Sequence, residues 1–193
     1  MLSSQSQSNL LKAISECSAC PLSRPVLPSG PLGSEVMVIA RSPGEEEARL
    51  GKPLVGPAGI LFSQFMELCG LQPDSCYITN LVMCPCKVPS QTEIEACSKW
   101  KALEFKLIRP KLVILLGGAV VKHFYPSFKD KSIKDLRGQV LHGFERKGYF
   151  EGYKVVLAMH PGYMGSELRN LWGIDSTIVR QLARLLGITP YHA

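Results

Sequence analysis

The sequence predicts an α/β protein: a three-layer α/β/α sandwich built on a central, mostly parallel, four-stranded sheet. Short, nearly continuous apolar runs rich in β-prone residues alternate along the chain with longer stretches of helical periodicity. That alternation is typical of a parallel sheet whose strands are joined by helices. The runs are apolar at successive positions rather than at every second one, as expected for strands that helices cover on both faces.

Each element is predicted from its local pattern. The strands are predicted at residues 35–40, 75–79, 112–116 and 154–159. The helices are predicted at residues 58–69, 91–108, 118–124 and 176–186. Residues 1–9, a head rich in Ser and Gln, are predicted to be frayed. Residues 126–152, rich in Lys, Arg and Gly, are predicted to form a loop or hairpin insertion.

Length, composition and charge limit the class of protein. A chain of 193 residues with 46% hydrophobic content is expected to bury one core and to form a single domain over residues 1–193. No run of about 18 apolar residues occurs, and the start lacks the basic-then-apolar order of a secretion signal, so we expect a cytoplasmic protein with no membrane partner. The net charge of +6 suits a polyanion such as nucleic acid, although charge alone is a weak indicator.

The cysteines indicate a metal site. Seven of them, an odd number without an export signal, favour reduced thiols over a disulfide framework. Four are spaced as one site: Cys17 and Cys20 form a C-x2-C pair, and Cys84 and Cys97 lie far downstream. The fold would have to gather them around a metal ion or an iron–sulfur cluster. On spacing alone, zinc and an iron–sulfur cluster are both open alternatives.

Polar residues and glycines follow each predicted strand. Because ligands bind outside the carboxyl ends of the strands in open α/β sheets, these residues are expected to line one crevice. In chain order they are Arg41, Ser42, Pro43, Gly44 and Glu45 to Glu47, then Asn80, then Gly117 and Gly118, then His160, Pro161, Gly162 and Tyr163.

Several of these residues also have a structural interpretation. The three glutamates suit the first turn of a helix, where acidic side chains offset the macrodipole. Asn80 is a residue type that caps turns, and a single histidine such as His160 is often structural. The sequence contains no dinucleotide-binding fingerprint and no P-loop, which disfavours both of those classes.

An ordered series of motifs indicates a family. CSACPLSR is followed by SPGEEEARLGKPLVGPAG, YITNLVMCPC, EIEAC, RPKLVILLG, LRG and MHPGY. Over about residues 14–187 this series resembles the family 4 uracil-DNA glycosylases, whose motifs are close to G-E-A-P-G-x-x-E-D-x-x-G-x-P-F-V-G-x-A-G, I-T-N and H-P-S.

The resemblance implies a cofactor and an activity. It favours a 4Fe-4S cluster held by Cys17, Cys20, Cys84 and Cys97, with Cys86 as the alternative third ligand and Cys69 and Cys76 as core thiols. It implies a DNA glycosylase, a hydrolase that excises uracil or a modified pyrimidine flipped out of DNA. We expect DNA as the partner and a monomeric enzyme.

Site residues follow from the chemistry and from the motifs together. His160 can donate to a base carbonyl, Asn80 can offer a donor and an acceptor, and Glu47 keeps the family's acidic position. The expected catalytic residues are therefore His160, Glu47 and Asn80. The expected substrate-binding residues are Arg41, Ser42, Pro43, Gly44, Leu54, Asn80, Gly162 and Tyr163. Lys122 and Arg137 are expected at phosphates, and Tyr163 or Met164 in the vacated base stack.

The chain departs from the family pattern around the pocket. Arg41 stands in place of a glutamate, Ala48 of an aspartate, Leu54 of a phenylalanine and Gly162 of a serine. Losing an aromatic stacking partner costs roughly 1 to 3 kcal/mol per base, which should weaken uracil binding. The smaller residues predict a wider pocket, so one alternative is excision of a bulky modified cytosine, hydroxymethylated or glucosylated, in antiphage defence. A non-catalytic DNA-binding relative is the other alternative.

Overall fold

The computed structural model describes residues 4–149, 151–163, 184–185 and 187. Its five strands are β1 (Val36–Ala40), β2 (Tyr77–Asn80), β3 (Leu112–Leu116), β4 (Val140–His142) and β5 (Lys154–Ala158). They form one sheet in the order β2-β1-β3-β5-β4. All neighbours pair in parallel except β4, which is antiparallel to β5. The α/β class and the mostly parallel sheet are confirmed.

The predicted count of four strands is wrong, because β4 lies within residues 126–152, the stretch predicted as a loop or hairpin insertion. β4 has only three residues, none of them buried, and is too short to leave a recognisable strand pattern in the sequence. β2 also begins two residues later than predicted, since Pro73–Ser75 forms a 3-10 turn before it. The register pairs Ala40 with Asn80 and Leu116 with Ala158. The carboxyl ends of β1, β2, β3 and β5 therefore lie along the same side of the sheet.

Six α-helices within the described residues accompany the sheet. They are α1 (Ser4–Ser15), α2 (Glu45–Leu50), α3 (Pro57–Leu68), α4 (Gln91–Ile108), α5 (Gly118–Phe124) and α6 (Ile133–Leu136). α4 and α5 have the predicted bounds, and α3 is displaced by one residue at each end. The helix predicted at 176–186 lies outside the described residues except for 184 and 185. Within the described ranges, no helix combines the length and apolarity needed to cross a membrane.

The predicted frayed head is wrong for residues 4–9, which form the first half of α1. The helix is anchored because Leu10 and Ile14 are buried in a cluster that also contains Cys97 and Trp100 of α4. Gln7 adds a side-chain hydrogen bond to the carbonyl of Gly30, at 3.1 Å. Two buried positions in a polar stretch are too few for the sequence pattern to predict this helix.

Helices cover both faces of the sheet, as the three-layer prediction requires. One apolar cluster joins alternate strand residues to α3: Val36, Val38, Ala40, Ile114, Phe62, Phe65 and Met66. The opposite cluster joins the intervening strand residues to α4 and α5: Met37, Ile39, Val113, Leu115, Phe105, Ile108, Val120 and Phe124. Both faces of the sheet are therefore buried. In such a sheet a ligand binds outside the carboxyl ends of the strands, where polar groups can contact it.

Candidate active site

A cavity of about 1040 Å³ lies at the carboxyl ends of β1, β2, β3 and β5. Its lining includes nine of the residues that the sequence singles out for catalysis or substrate binding: Arg41, Ser42, Pro43, Gly44, Glu47, Leu54, Asn80, His160 and Gly162. Gly117 and Gly118, which follow β3, form the part of the wall between the residues after β1 and those after β5. The parallel topology therefore collects these residues around one space.

His160 presents a hydrogen-bond donor. Its Nδ1 accepts from the backbone N–H of Gly162 at 3.1 Å, so in the neutral ring the proton lies on Nε2. Burial lowers the pKa of His160, the positive charge of Arg41 lowers it further, and Glu47 opposes both effects. The imidazole is thus held neutral at neutral pH, with Nε2–H as its donor.

Two glycines make room for this histidine. Gly117 has φ of +94°, and a Cβ there would lie 3.1 Å from the Cβ of His160. A Cβ at Gly162 would lie 3.2 Å from His160 Nδ1 and 3.3 Å from its Cε1. A side chain at 162 would therefore press on the imidazole, so the glycine sets the position of His160 as well as the width of the pocket.

Asn80 is the last residue of β2 and is 3% exposed, yet it lines the cavity. Its backbone pairs with Ala40 of β1, which fixes its position. Across the part of the chain that the structure describes, its side-chain amide forms no hydrogen bond. Because Asn80 lines the cavity, a ligand there could supply hydrogen-bond partners for the amide.

Glu47 differs from Asn80 because its carboxylate accepts hydrogen bonds from other parts of the protein. Its Oε1 accepts from the backbone N–H groups of Val55 at 3.0 Å and Gly56 at 2.8 Å, and its Oε2 accepts from Gly44 at 3.0 Å. Both glycines are needed for this approach, since a Cβ at Gly44 would lie 2.7 Å from Oε2. The three glutamates do form the first turn of α2, as their structural interpretation expects. A carboxylate has about four acceptor sites, so one remains for a water or a substrate group.

Leu54 lies on the cavity wall in a strained backbone conformation, with φ of +51°. Its carbonyl packs so closely on α3 that a Cβ at Gly59 would lie 1.9 Å from the Leu54 oxygen. The side chain is partly buried against the cluster that contains Phe62. The backbone turn at Leu54, and not its side chain alone, therefore fixes the position of this part of the cavity wall.

The loop that carries Cys84 and Cys86 forms another wall. Pro85, Cys86 and Lys87 line the cavity, and the Ser42 hydroxyl donates to the Cys86 carbonyl at 2.9 Å. Arg41 lies close enough for its charge to lower the pKa of Cys86, although burial raises that pKa by more. The sequence did not predict Lys87 as a residue of the site. Its position directly after Cys86 is the feature of the sequence that could have indicated it.

Three of the predicted ligand cysteines, Cys17, Cys20 and Cys97, lie close enough to the fourth, Cys84, to act on it electrostatically. Cys84 and Cys97 are buried, and Cys17 and Cys20 are half-buried. Burial raises the pKa of Cys84 to about 11, with further contributions from Cys97, Cys20, Cys17 and Cys86 in that order. Among the described residues, no three Cys, His, Asp or Glu side chains are arranged to hold a single metal ion.

The chemistry of this region fits a sulfur-ligated cluster. Cys97 belongs to an apolar cluster against which Cys17 and Cys86 pack. The same cluster contains Trp100, whose Nε1–H is buried without a partner in the described structure. Thiolates are the ligands of iron–sulfur clusters, and N–H groups commonly donate to their sulfurs. Cys69 and Cys76, by contrast, are fully buried core thiols, and burial raises the pKa of Cys69 to about 12.

The remaining predicted residues lie around the site or beyond the described part. Arg137 is exposed, and its Nη1 lies 3.5 Å from the sulfur of Met159, which lines the cavity. Lys122 is exposed on α5 and does not line the cavity. Tyr163 ends a short 3-10 helix after His160, while its side chain and Met164 fall outside the described residues.

Comparison with known proteins identifies the family. Residues 27–173 match the family model of the uracil DNA glycosylase superfamily. A type-4 uracil-DNA glycosylase from Thermotoga maritima is 29% identical, with 82% of this chain and 84% of the relative covered. One from Sulfurisphaera tokodaii is 32% identical, with 81% and 72% covered, and one from Archaeoglobus fulgidus is 26% identical, with 81% and 82% covered. The chain therefore belongs to the uracil-DNA glycosylase superfamily.

Proposed function

We propose that this protein is a DNA glycosylase that hydrolyses the N-glycosidic bond of a flipped uracil and leaves an abasic site. The observation that carries the proposal is that one cavity at the strand ends contains both a neutral His160, with its proton on Nε2, and the Asn80 amide, which has no hydrogen bond in the described part of the chain. The names of the type-4 relatives support uracil as the base.

Hydrolysis of the N-glycosidic bond requires three interactions that these side chains can supply. Breaking the bond leaves negative charge on the departing base, which His160 Nε2–H can stabilise by donating to a base carbonyl. The Asn80 amide can pair with one edge of the base, because it offers both a donor and an acceptor. The free acceptor site of Glu47 can hold the attacking water near the positively charged sugar.

The substrate base must leave the duplex to reach this cavity. The net charge of +6 suits the DNA backbone, and Arg137 lies at the cavity rim, where it can contact a phosphate. Lys122 is proposed to contact a phosphate farther from the cavity, and Tyr163 or Met164 to fill the space that the base vacates. We further propose a monomer, since all of these groups belong to one chain.

The cofactor proposed for this protein is a 4Fe-4S cluster held by Cys17, Cys20, Cys84 and Cys97. Its role would be structural, because glycosidic hydrolysis requires no electron transfer. The loop between Cys84 and Cys86 carries part of the cavity wall, and Ser42 bonds to it. Ligation at Cys84 would thus hold the wall against which the base is placed.

Base release tests the proposed function directly. The protein is incubated with uracil-containing and matched thymine-containing DNA, single- and double-stranded, followed by alkaline cleavage and mass spectrometry of free bases. We expect equal amounts of free uracil and alkali-labile sites from the uracil DNA alone. Binding to uracil DNA without release of any base would instead indicate the non-catalytic alternative.

A larger modified base is a second candidate, and the position of Arg41 favours it. The guanidinium lines the cavity and acts electrostatically on His160, so it could bond a hydroxyl or sugar substituent. The volume of about 1040 Å³ is at the upper end of ordinary ligand pockets, roughly 300–1,000 Å³. Such a substrate, for example glucosylated hydroxymethylcytosine, would suggest antiphage defence rather than repair.

The two candidate substrates, uracil and a larger modified base, are distinguished by the ratio of the rates at which they are released. Single-turnover rates are measured on uracil DNA and on glucosylated hydroxymethylcytosine DNA, for the wild type and for Arg41→Glu with Leu54→Phe. If the modified base is the substrate, the double variant should move the ratio toward uracil, since a site built around hydrogen bonds discriminates strongly against analogues that lack them. Efficient uracil release by the wild type, with no release of the modified base, would exclude this second candidate.

A further inference from the structure

The face of α4 that points into the protein carries an unexpected charge. Cys97, Trp100, Lys101 and Glu104 follow one another at helical spacing, and all four are buried. Lys101 and Glu104 each have 0% of their surface exposed. Lysine and glutamate are almost never fully buried unless they are paired, so their place beside a predicted cluster ligand requires an explanation.

The two side chains belong to a small polar network with β2. The ammonium of Lys101 contacts the carboxylate of Glu104 and donates to Thr79 Oγ1 at 2.7 Å. The hydroxyls of Thr79 and Tyr77 donate to Glu104 Oε1 at 2.8 Å and 3.2 Å. Glu104 therefore has three donors, and the network is held rigidly against the strand.

Ion pairing with Glu104 does not by itself account for this arrangement. Replacing a buried ion pair with apolar residues is often neutral or stabilising, so such a pair is weak evidence for a gain in stability. The positively charged end of the network, the Lys101 ammonium, also lies on the side of the cysteines. Lys101 lies one helical turn beyond Cys97, interacts with it electrostatically and contacts the sulfur of Met83 at 3.8 Å, next to Cys84.

We propose that Lys101 is a positioning residue for the iron–sulfur cluster, a fixed cation that offsets the negative charge brought by four thiolate ligands. Glu104, Thr79 and Tyr77 hold the ammonium in place, because a lone lysine could not stay buried before the ligands assemble. This inference rests on the cluster proposed above and does not depend on which base is excised. Outer-shell partners of this kind set both the affinity and the reduction potential of a metal site.

The test compares anaerobically prepared holoprotein of the wild type, Lys101→Met, Glu104→Gln, the double variant Lys101→Met/Glu104→Gln, and Lys106→Met. Lys106 is an exposed lysine of the same helix and serves as the matched control. Iron content, the rate of iron loss to a chelator, the midpoint potential of the cluster and the melting temperature are measured for each. The double variant is needed because Lys101→Met alone leaves a buried carboxylate unpaired and could fail to fold.

We expect the double variant to lose iron at least about tenfold faster than the wild type. Its midpoint potential should be more negative, because, of the two opposite charges removed, Lys101 is the one that acts on Cys97. Glu104→Gln, if it retains the lysine charge, should shift the potential in the positive direction. Lys106→Met should match the wild type. An unchanged rate and potential in the double variant would show that Lys101 serves only Glu104, and a wild type without iron would overturn the inference at its foundation.

Discussion

Two polar regions of the protein adjoin at β2, and they differ in how far their hydrogen bonds are satisfied. In the buried network, Thr79 bonds to both Lys101 and Glu104. At the next residue along the strand, Asn80 opens on the cavity, and its amide has no partner in the described part of the chain. Groups that are paired inside the protein hold the fold, whereas unpaired groups at the strand ends are available to a substrate.

The same difference separates two residues of the cavity itself. Glu47 is held by three backbone N–H groups, while His160 accepts one backbone N–H at Nδ1, which places the proton of its neutral ring on Nε2. Replacing Glu47 should therefore damage both structure and activity, whereas replacing His160 should damage activity alone. The His160, Glu47 and Asn80 variants below test this division, and the cysteine variants test the cluster that supports the cavity wall.

The largest effect is expected at the ligand cysteines. Cys84→Ser or Cys97→Ser should lose nearly all bound iron and most of the folded yield, because removing a ligand removes folding free energy. Cys86→Ser is the matched control and should keep its iron. Iron and sulfide analysis of anaerobically purified protein checks this, and stoichiometric zinc in place of iron, or iron loss only in Cys86→Ser, would contradict the assigned ligands.

Removing the His160 donor comes next in size. His160→Ala should reduce single-turnover base release by about a hundredfold to a thousandfold, as expected for the loss of one donor to developing negative charge. The melting temperature and the affinity for DNA should change little. His142→Ala, at an exposed position of β4, is the control. Unchanged turnover in His160→Ala would show that the histidine is structural.

A smaller loss of activity, joined to a loss of stability, is expected at Glu47. In Glu47→Gln one oxygen becomes an amide nitrogen that cannot accept, so at least one backbone N–H is left without its partner. That change should cost about 1–3 kcal/mol in the free energy of unfolding. Chemical denaturation checks it, with the exposed Glu67→Gln of α3 as control. Full stability with lost activity would mean that Glu47 acts on the substrate alone.

The smallest effect concerns pH. Protonating His160 would remove the Nδ1 acceptor used by Gly162, so base release should decline as the pH falls through the pKa of His160. Burial and then Arg41 lower that pKa. Arg41→Met should therefore raise it and move the acidic limb of the rate profile to higher pH. A limb that stays in place, or moves to lower pH, would show that Arg41 does not act on this histidine.

Sequence patterns succeeded where one local rule decides the outcome. α4 has its predicted bounds because Ser90 and Glu93 form a capping box at its start and the chain turns left-handed at Arg109, its end. The gathering of residues at the strand ends followed from parallel topology alone. That rule places Arg41, Asn80 and His160 together without knowledge of any contact.

Tertiary contacts account for what the sequence could not predict. The bonds of Glu47 to Val55 and Gly56 depend on how the loop before α3 returns to α2. Gly162 suggested only a wider pocket, since its closeness to the imidazole appears only in three dimensions. Lys101 looks like a surface residue in the sequence, and only the packing of α4 against β2 shows that it is buried.

Asn80 provides the most direct test of the central claim that unpaired groups at the strand ends serve the substrate. The measurement is the single-turnover rate of uracil release by Asn80→Ala, made on protein whose melting temperature is recorded in parallel. We predict a rate about a hundredfold below the wild type, because the base loses a positioned partner. We predict a melting temperature close to that of the wild type, because the Asn80 amide makes no hydrogen bond within the described part of the chain. A lower melting temperature with an unchanged rate would contradict the account and make Asn80 a structural residue.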